Sequence, residues 1–430
     1  MGLRPGESSW LKRYIDFHAG QLAGGSEPAS TPLNGDPKLT EQSLYFALHP
    51  SGLVYGYPVG FPYFPESKAR NWGMKTRAKI LLAESHLTIG IRVLGSPGAD
   101  PKPVIEEVLM RCKQFYAAIY PRYDQQGKTL VGRKRTLLSQ VEYILENRVQ
   151  IRNDWRNFWA SFFHNSLVFI DLMYFYKYLL HPDPETLVQV RNERIDFRKA
   201  LLELIGCAAW SSGTVHPEGK EMFRHFLESA EMPLALRREF ARRFLAQIPL
   251  DEVDFSVATI WLLRKYLLEM TILTTLASPV NQEVNHPFLE EVCTRLDLNK
   301  VDLGQSMQAT EAFVAAHRDK LFYFQPRHLH LKATDVLLAQ FQREVSKNQR
   351  GLQREIRQSK ELVALLAKST RQELTTEEWD KVKYQLIEIL KTIPAFTIFM
   401  LPMGSVTLPF LIRLFPRSWL FPNLYDEDDD

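Results

Sequence analysis

Three cysteines in 430 residues, Cys112, Cys207 and Cys293, are too few and too scattered for a disulfide framework or a CxxC metal site. A reducing compartment is therefore expected. Charge of one sign is also scarce: the formal net charge is +3, so no general affinity for nucleic acid is implied and DNA is not an expected partner. GxGxxG, Walker A, GxSxG and HExxH patterns are missing, and no cysteine carries a nucleophile signature. Gly127-Lys128-Thr129 is not a phosphate loop, because Arg122 stands where that loop needs its first glycine. Neither enzymatic activity nor a cofactor nor a bound metal is expected. Residues 1–20 lack the apolar core of a secretory signal, and Gly6 stands where a myristoylation motif needs Ser or Thr. Export and N-terminal lipidation are not expected. Long uncharged runs are few: Asn157–Ile170 is too short and too polar to cross a membrane, whereas Ile393–Ile412 reaches twenty residues.

What is present is apolar material, 45% of the chain, enough to bury sizeable cores. Its periodicity is helical, and the expected class is all-α with several domains. Residues 1–38 read as an N-terminal amphipathic helix and linker, with Ser8 or Ser9 capping and Trp10, Leu11, Tyr14, Ile15 and Phe17 on one face. A helical domain is expected over 39–197. Within it, Pro103–Tyr120 forms a helix ending before Pro121, and the aromatic stretch Asn153–Leu180 forms a central buried one. His164 and Asp171 lie seven residues apart, two turns along one face. They read either as an acid–base or metal-ligand pair or as interior residues held by hydrogen bonds.

From 198 to 325 a weak repeat appears. A helix ending Ala208–Trp210 is followed by a turn and Val215-x-x-Glu218-x-x-x-x-Phe223; a helix ending Leu273–Ala277 is followed by Val280-x-x-Glu283-x-x-x-x-Phe288. This pattern resembles the tellurite-resistance-B-like helical domain, whose turns commonly carry acidic residues suspected of binding metal. Here Ser211-Ser212-Gly213 and Ser278-Pro279 occupy those turns. Glu218 and Glu283 lack the partner carboxylates a hard cation needs and are expected to cap helix starts instead. His216, His225 and His286 lack zinc-site spacing.

Residues 326–373 read as a long basic helix. Leu338, Val345, Leu352 and Leu366 make a heptad-like stripe flanked by Phe341, Ile356 and Val363, and Ser359 interrupts it. Between Arg343 and Arg371 there are eight Lys/Arg against three Glu. The charge reads either as a solvated face or as a ribosome- or lipid-binding surface carried by Arg343, Lys347, Arg350, Arg354 and Arg357.

Leu374-Thr375-Thr376-Glu377-Glu378 then supplies a capping-box-like start for a helix over Trp379–Thr392. The uncharged run that follows contains Pro394, Pro402 and Pro409, which argue for a broken span or hairpin anchor rather than a straight helix. The order Ile393-Pro394-x-Phe396-x-x-Phe399-x-x-Pro402, Leu408-Pro409, Leu414-Phe415-Pro416 resembles the membrane-proximal core of the LETM family. These are leucine-zipper, EF-hand transmembrane proteins of the mitochondrial inner membrane and their relatives. The match is nearest to bacterial LETM-related, biofilm-associated proteins, and it covers residues 374–422, before an acidic tail at 423–430.

That resemblance implies a ribosome-binding-like domain concerned with membrane-protein biogenesis. In the mitochondrial members the larger helical portion follows the LFP motif, whereas here fifteen residues follow Phe415. The expected function is a non-enzymatic scaffold on the cytoplasmic face of a bacterial inner membrane, or on the mitochondrial inner membrane in a eukaryote. Expected partners are the membrane, the ribosome and proteins docked on helical surfaces. Cation/proton transport is one alternative, and an ionisable residue that such transport needs in the span is missing from Ile393–Ile412. A soluble all-α binding module is the other.

Overall fold

Two Asp-Pro pairs illustrate how the chain sets its helix starts. Asp100-Pro101 and Asp183-Pro184 each join a side-chain acceptor at the cap to a first-turn residue with no backbone donor to leave unsatisfied. In the computed structural model, Asp100 accepts from the Lys102 amide at 3.1 Å and Asp183 from the Thr186 amide at 2.7 Å. Thr136 caps the Ser139 amide in the same way at 3.2 Å.

The structure describes residues 9–23, 37–62, 64, 66–69, 71–95, 100–123, 135–149, 158–277, 282–317, 349–369 and 375–391. Among these residues the regular elements are helices, and the class is all-α. They are α1 (Trp10–Ala23), α2 (Pro37–Leu48), α3 (Glu66–Ala69), α4 (Met74–Leu94), α5 (Pro101–Ile119), α6 (Leu137–Arg148) and α7 (Phe158–Leu180). Then come α8 (Pro184–Trp210), α9 (Pro217–Ser229), α10 (Leu234–Leu245), α11 (Trp261–Ala277), α12 (Gln282–Arg295) and α13 (Lys300–His317). The last three are α14 (Gln349–Gln358), α15 (Lys360–Ser369) and α16 (Thr376–Lys391).

Every residue from Phe162 to Tyr176 is buried, which is what a helix without a polar face requires. Around α7 pack α4, α5, α8, α9 and the 3-10 turn Leu53–Tyr55, while α11 packs against α2, α8, α9, α12 and α13. Buried side chains from Trp10 to Phe313 form one continuous apolar core. The segments of the expected repeat form the helix pairs α8/α9 and α11/α12, with α8 and α11 in contact, and the connection 278–281 lies outside the described residues.

Two local expectations are corrected. Helix α1 begins at Trp10, and the amides of Ser9 and Leu11 donate to the Glu142 carboxylate on α6 at 3.0 and 3.1 Å. A carboxylate from a distant helix thus takes up the first amides of α1, where a serine cap was expected; Ser8 lies outside the described residues, and Trp10, Leu11 and Tyr14 are sunk in the core. At α9 the N-cap is His216, which makes no side-chain cap bond. Glu218 falls one residue short of the position that a reciprocal capping box needs, and Gly219 occupies that position.

The Pro- and Gly-rich stretch after α2 is built into the core. Gly52 and Gly56 both adopt φ +74° and punctuate the 3-10 turns His49–Ser51 and Leu53–Tyr55. Phe64 stacks on Trp72 with centroids 4.8 Å apart, and Arg77 donates to the Val59 carbonyl at 2.7 Å while lying 5.2 Å from the Phe61 ring centroid.

Burial also sets an acid limit on the fold. His86, on α4, is packed between Tyr116 and Phe175, and its Nδ1 donates to the Leu82 carbonyl at 2.7 Å. Burial pushes its pKa from 6.5 down to about 4. Because the folded pKa is the lower one, this contribution is complete above pH 6.5 and is lost as pH falls toward 4. Urea titrations should therefore lose about 2.5 kcal/mol through this residue between pH 7 and pH 4.5, and His86→Leu should flatten that limb. An unchanged pH slope in the variant would show that His86 is not buried neutral.

None of the described helices is long and apolar enough to cross a membrane. The run Ile393–Ile412, with the rest of the motif to Pro422, lies outside the described residues.

Candidate functional site

The expected basic helix is, over Gln349–Ser369, two helices broken at Ser359. Ser359 Oγ accepts from the Leu362 amide at 3.4 Å, capping α15, and donates to Gln385 Oε1 at 2.7 Å. The start of α16 is a reciprocal capping box: the Glu378 amide donates to Thr375 Oγ1 at 3.3 Å, and the Thr375 amide to Glu378 Oε2 at 3.0 Å. Leu352 and Ile356 of α14, Leu362 and Leu366 of α15, and Val382, Leu386 and Ile389 of α16 are buried, and the three helices pack against one another. Val363, expected beside the seam, is 38% exposed. Lys368 reaches Glu378 at 2.6 Å and Lys381 reaches Glu361 at 3.4 Å, so part of the basic charge is neutralised within the unit.

Of the basic residues singled out by sequence, Arg350, Arg354 and Arg357 lie on α14 at i, i+4 and i+7 of the backbone, and Arg354 is exposed. Arg343, Lys347, Leu338, Phe341 and Val345 lie outside the described residues, as do Pro394, Phe396, Phe399, Pro402, Pro409, Phe415 and Pro416.

Chemistry that the sequence did not announce sits in the main core. Asp171 and His164 do not touch each other; both meet Arg148. Arg148 Nη2 donates to Asp171 Oδ2 at 2.9 Å, and its backbone carbonyl lies 3.2 Å from His164 Nε2. Arg194 Nε donates to Asp171 Oδ1 at 2.5 Å, and Arg198 lies 3.7 Å from the same oxygen. Glu231, in the turn between α9 and α10, accepts from Arg148 Nη1 at 3.1 Å, Arg198 Nη1 at 3.0 Å, Arg194 Nη2 at 3.4 Å and the Tyr120 hydroxyl at 2.9 Å. The Tyr120 ring lies beneath the Arg148 and Arg194 guanidinium groups, 4.1 and 4.7 Å from its centroid. Burial alone would raise both acids, yet the arginines hold Asp171 and Glu231 below the usual carboxylate range. The same burial, helped by the Arg148 charge, lowers His164 to about 4, which removes it from acid–base work at neutral pH.

A second interior centre surrounds Glu269 of α11. His49 Nε2 donates to its Oε2 at 3.0 Å and the Tyr55 hydroxyl at 3.2 Å, while the Tyr45 hydroxyl donates to Oε1. Lys265, one turn away and fully buried, donates to Ser306 Oγ at 2.5 Å, and Ser306 to Glu269 Oε1 at 3.3 Å. Burial opposes the charge on Glu269, but His49, Lys265 and Tyr45 overcome it and keep its pKa low. This centre ties α2, α11, α13 and the first 3-10 turn together.

The chain matches no protein-family model, no curated protein sequence and no solved structure. The ionic centre was partly legible all the same. Val190, Arg194, Phe197 and Leu201 form one helical stripe, and an arginine within an apolar stripe is a signal of a buried ion pair.

Proposed function

We propose that the chain is a non-enzymatic helical scaffold held at the inner face of a membrane by Ile393–Ile412, its C-terminal part being a LETM-type, ribosome-binding-like module. The observation that carries this reading is the twenty-residue uncharged run bearing the ordered IPxFxxFxxP, LP and LFP elements. Three prolines within it suit a hairpin anchor whose two ends share one side. The basic stripe of α14 stands a few tens of residues before the anchor, where it can meet anionic headgroups or ribosomal RNA phosphates. The interior centres around Asp171 and Glu269 serve in this reading to fix the scaffold, which presents helical surfaces to protein partners.

Fractionation tests the anchor. The full chain should stay with membranes through carbonate extraction, and a chain truncated after Thr392 should move to the soluble pool. Complete carbonate extraction of the full chain without detergent would favour a soluble all-α binding module instead. Ribosome binding is tested separately by co-sedimentation at rising salt. Neutralising Arg350, Arg354 and Arg357 should weaken association roughly 100-fold, at about 1 kcal/mol per cation. No salt-sensitive association in the unmodified chain would remove the ribosome from the proposal and leave the anchor standing.

A further inference from the structure

Among the described residues the ionic centre holds one more cation than anion. Arg148, Arg194 and Arg198 face Asp171 and Glu231, and the other titratable groups that act on these five include Tyr116, Tyr120, Tyr174, Tyr266, His86 and His164. Burial keeps all six of those neutral at pH 7. A surplus charge in an interior is unfavourable unless a counter-ion reaches it. Two donors remain to receive one: Nε of Arg148 and Nε of Arg198 are buried and have no acceptor among the described residues.

The centre meets solvent at Glu231, whose side chain is 27% exposed against 0% for Asp171 and Arg148. Glu231 is carried on the turn 230–233 rather than on a helix, and it holds a left-handed backbone with φ 54°, which a residue with a side chain adopts only at a cost. Three guanidinium groups and a phenol converge on that one carboxylate. Convergent N–H and O–H donors of this kind are what a phosphate oxygen array receives from arginine-rich sites. Charge points the same way. Without Glu231 the three arginines and Asp171 leave two positive charges, and a phosphomonoester at neutral pH brings close to two negative ones.

We propose that the Arg148–Arg194–Arg198 centre is a binding site for a phosphomonoester, and that the Glu231 carboxylate is its internal stand-in, displaced when the ligand enters. The ligand is free phosphate or a small phosphomonoester in one case and a phosphomonoester lipid headgroup in the other.

The test compares wild type, Glu231→Gln and Glu231→Gln/Arg198→Met in thermal unfolding, with inorganic phosphate against chloride at equal ionic strength. At pH 7.5 phosphate should raise the Tm of Glu231→Gln by several degrees more than that of wild type, and the added Arg198→Met should abolish the difference. At pH 5, where phosphate carries a single charge, the difference should shrink. Vesicles of phosphatidylcholine with and without phosphatidic acid form the second arm. Capture by phosphatidic acid vesicles that tracks the same variants assigns a lipid source, and stabilisation by phosphate alone assigns a soluble one. Equal shifts with phosphate and chloride in all three proteins, with no variant-dependent vesicle capture, overturn the proposal. Should Glu231→Gln fail to fold, calorimetry on wild type decides: saturable phosphate binding lost in Arg198→Met supports the site, and its absence refutes it.

Discussion

Asp171→Asn should destabilise the protein by about 3–5 kcal/mol, the range seen when one member of a buried ion pair is removed. The amide keeps the shape of the side chain but turns hydrogens toward Arg148 and Arg194, which both donate to Asp171 in the native core. All three arginines lie at or below 5% exposure, so water cannot replace the lost carboxylate. Urea unfolding at pH 7 reads the loss. Burial works against the Asp171 charge, but Arg194, Arg148 and Arg198 hold its pKa below the ordinary value. Its contribution is therefore present above the unfolded-state pKa of about 3.9 and is lost as pH falls below it. The gap between wild type and variant should be full at pH 7 and should close only in strong acid. Adding Arg148→Met to Asp171→Asn should recover part of the loss by removing one orphaned cation. A single variant within about 1 kcal/mol of wild type would mean that Asp171 is not what neutralises the arginines.

That network marks where sequence reading stops. Helix α5 was legible because its spacing and the proline after Tyr120 are local signals, although it starts at Pro101 behind an Asp100 cap rather than at the expected Pro103, and the capping box of Thr375 and Glu378 was legible too. Within the expected stretch 153–180, Phe158–Leu180 was legible as a buried helix because aromatics cover it all round, and 153–157 lie outside the described residues. Nothing local, however, links Ser9 to Glu142, 133 residues away, or Arg148 to Glu231, 83 away. Asp171 stood out in an aromatic helix, and the residue visible beside it was His164, because a sequence presents neighbours along one helix. Its actual partners come from the end of α6 and from α8, and only tertiary packing, α8 on α7 and α6 on the neighbouring α4 and α5, brings them together. Glu231 gave no signal, since it follows a helix end where acidic residues are ordinarily solvated.

The other large effect is expected at Gly56, where Gly56→Ala should cost about 4 kcal/mol. A Cβ there would lie 1.9 Å from the Phe162 carbonyl oxygen and 2.7 Å from the Ser166 amide nitrogen. Both atoms belong to the backbone of α7, which is enclosed by α4, α5, α8, α9 and α11 and cannot move aside. The turn would have to lift instead. Lifting it would pull the Val54 carbonyl from Ser166 Oγ, now 2.7 Å away, and draw Tyr55 off Glu269 and Thr310, at 3.2 and 3.1 Å. The damage would thus spread to the Glu269 centre, adding desolvated groups to the φ +74° strain that alanine itself suffers. Gly213→Ala separates the two contributions. Gly213 has φ +81° with no atom within 4 Å of an added Cβ, so that variant should lose only the backbone term, about 1 kcal/mol. Equal losses for the two variants in urea unfolding would show that the turn does not press on α7, and that the Glu269 centre does not depend on this close approach.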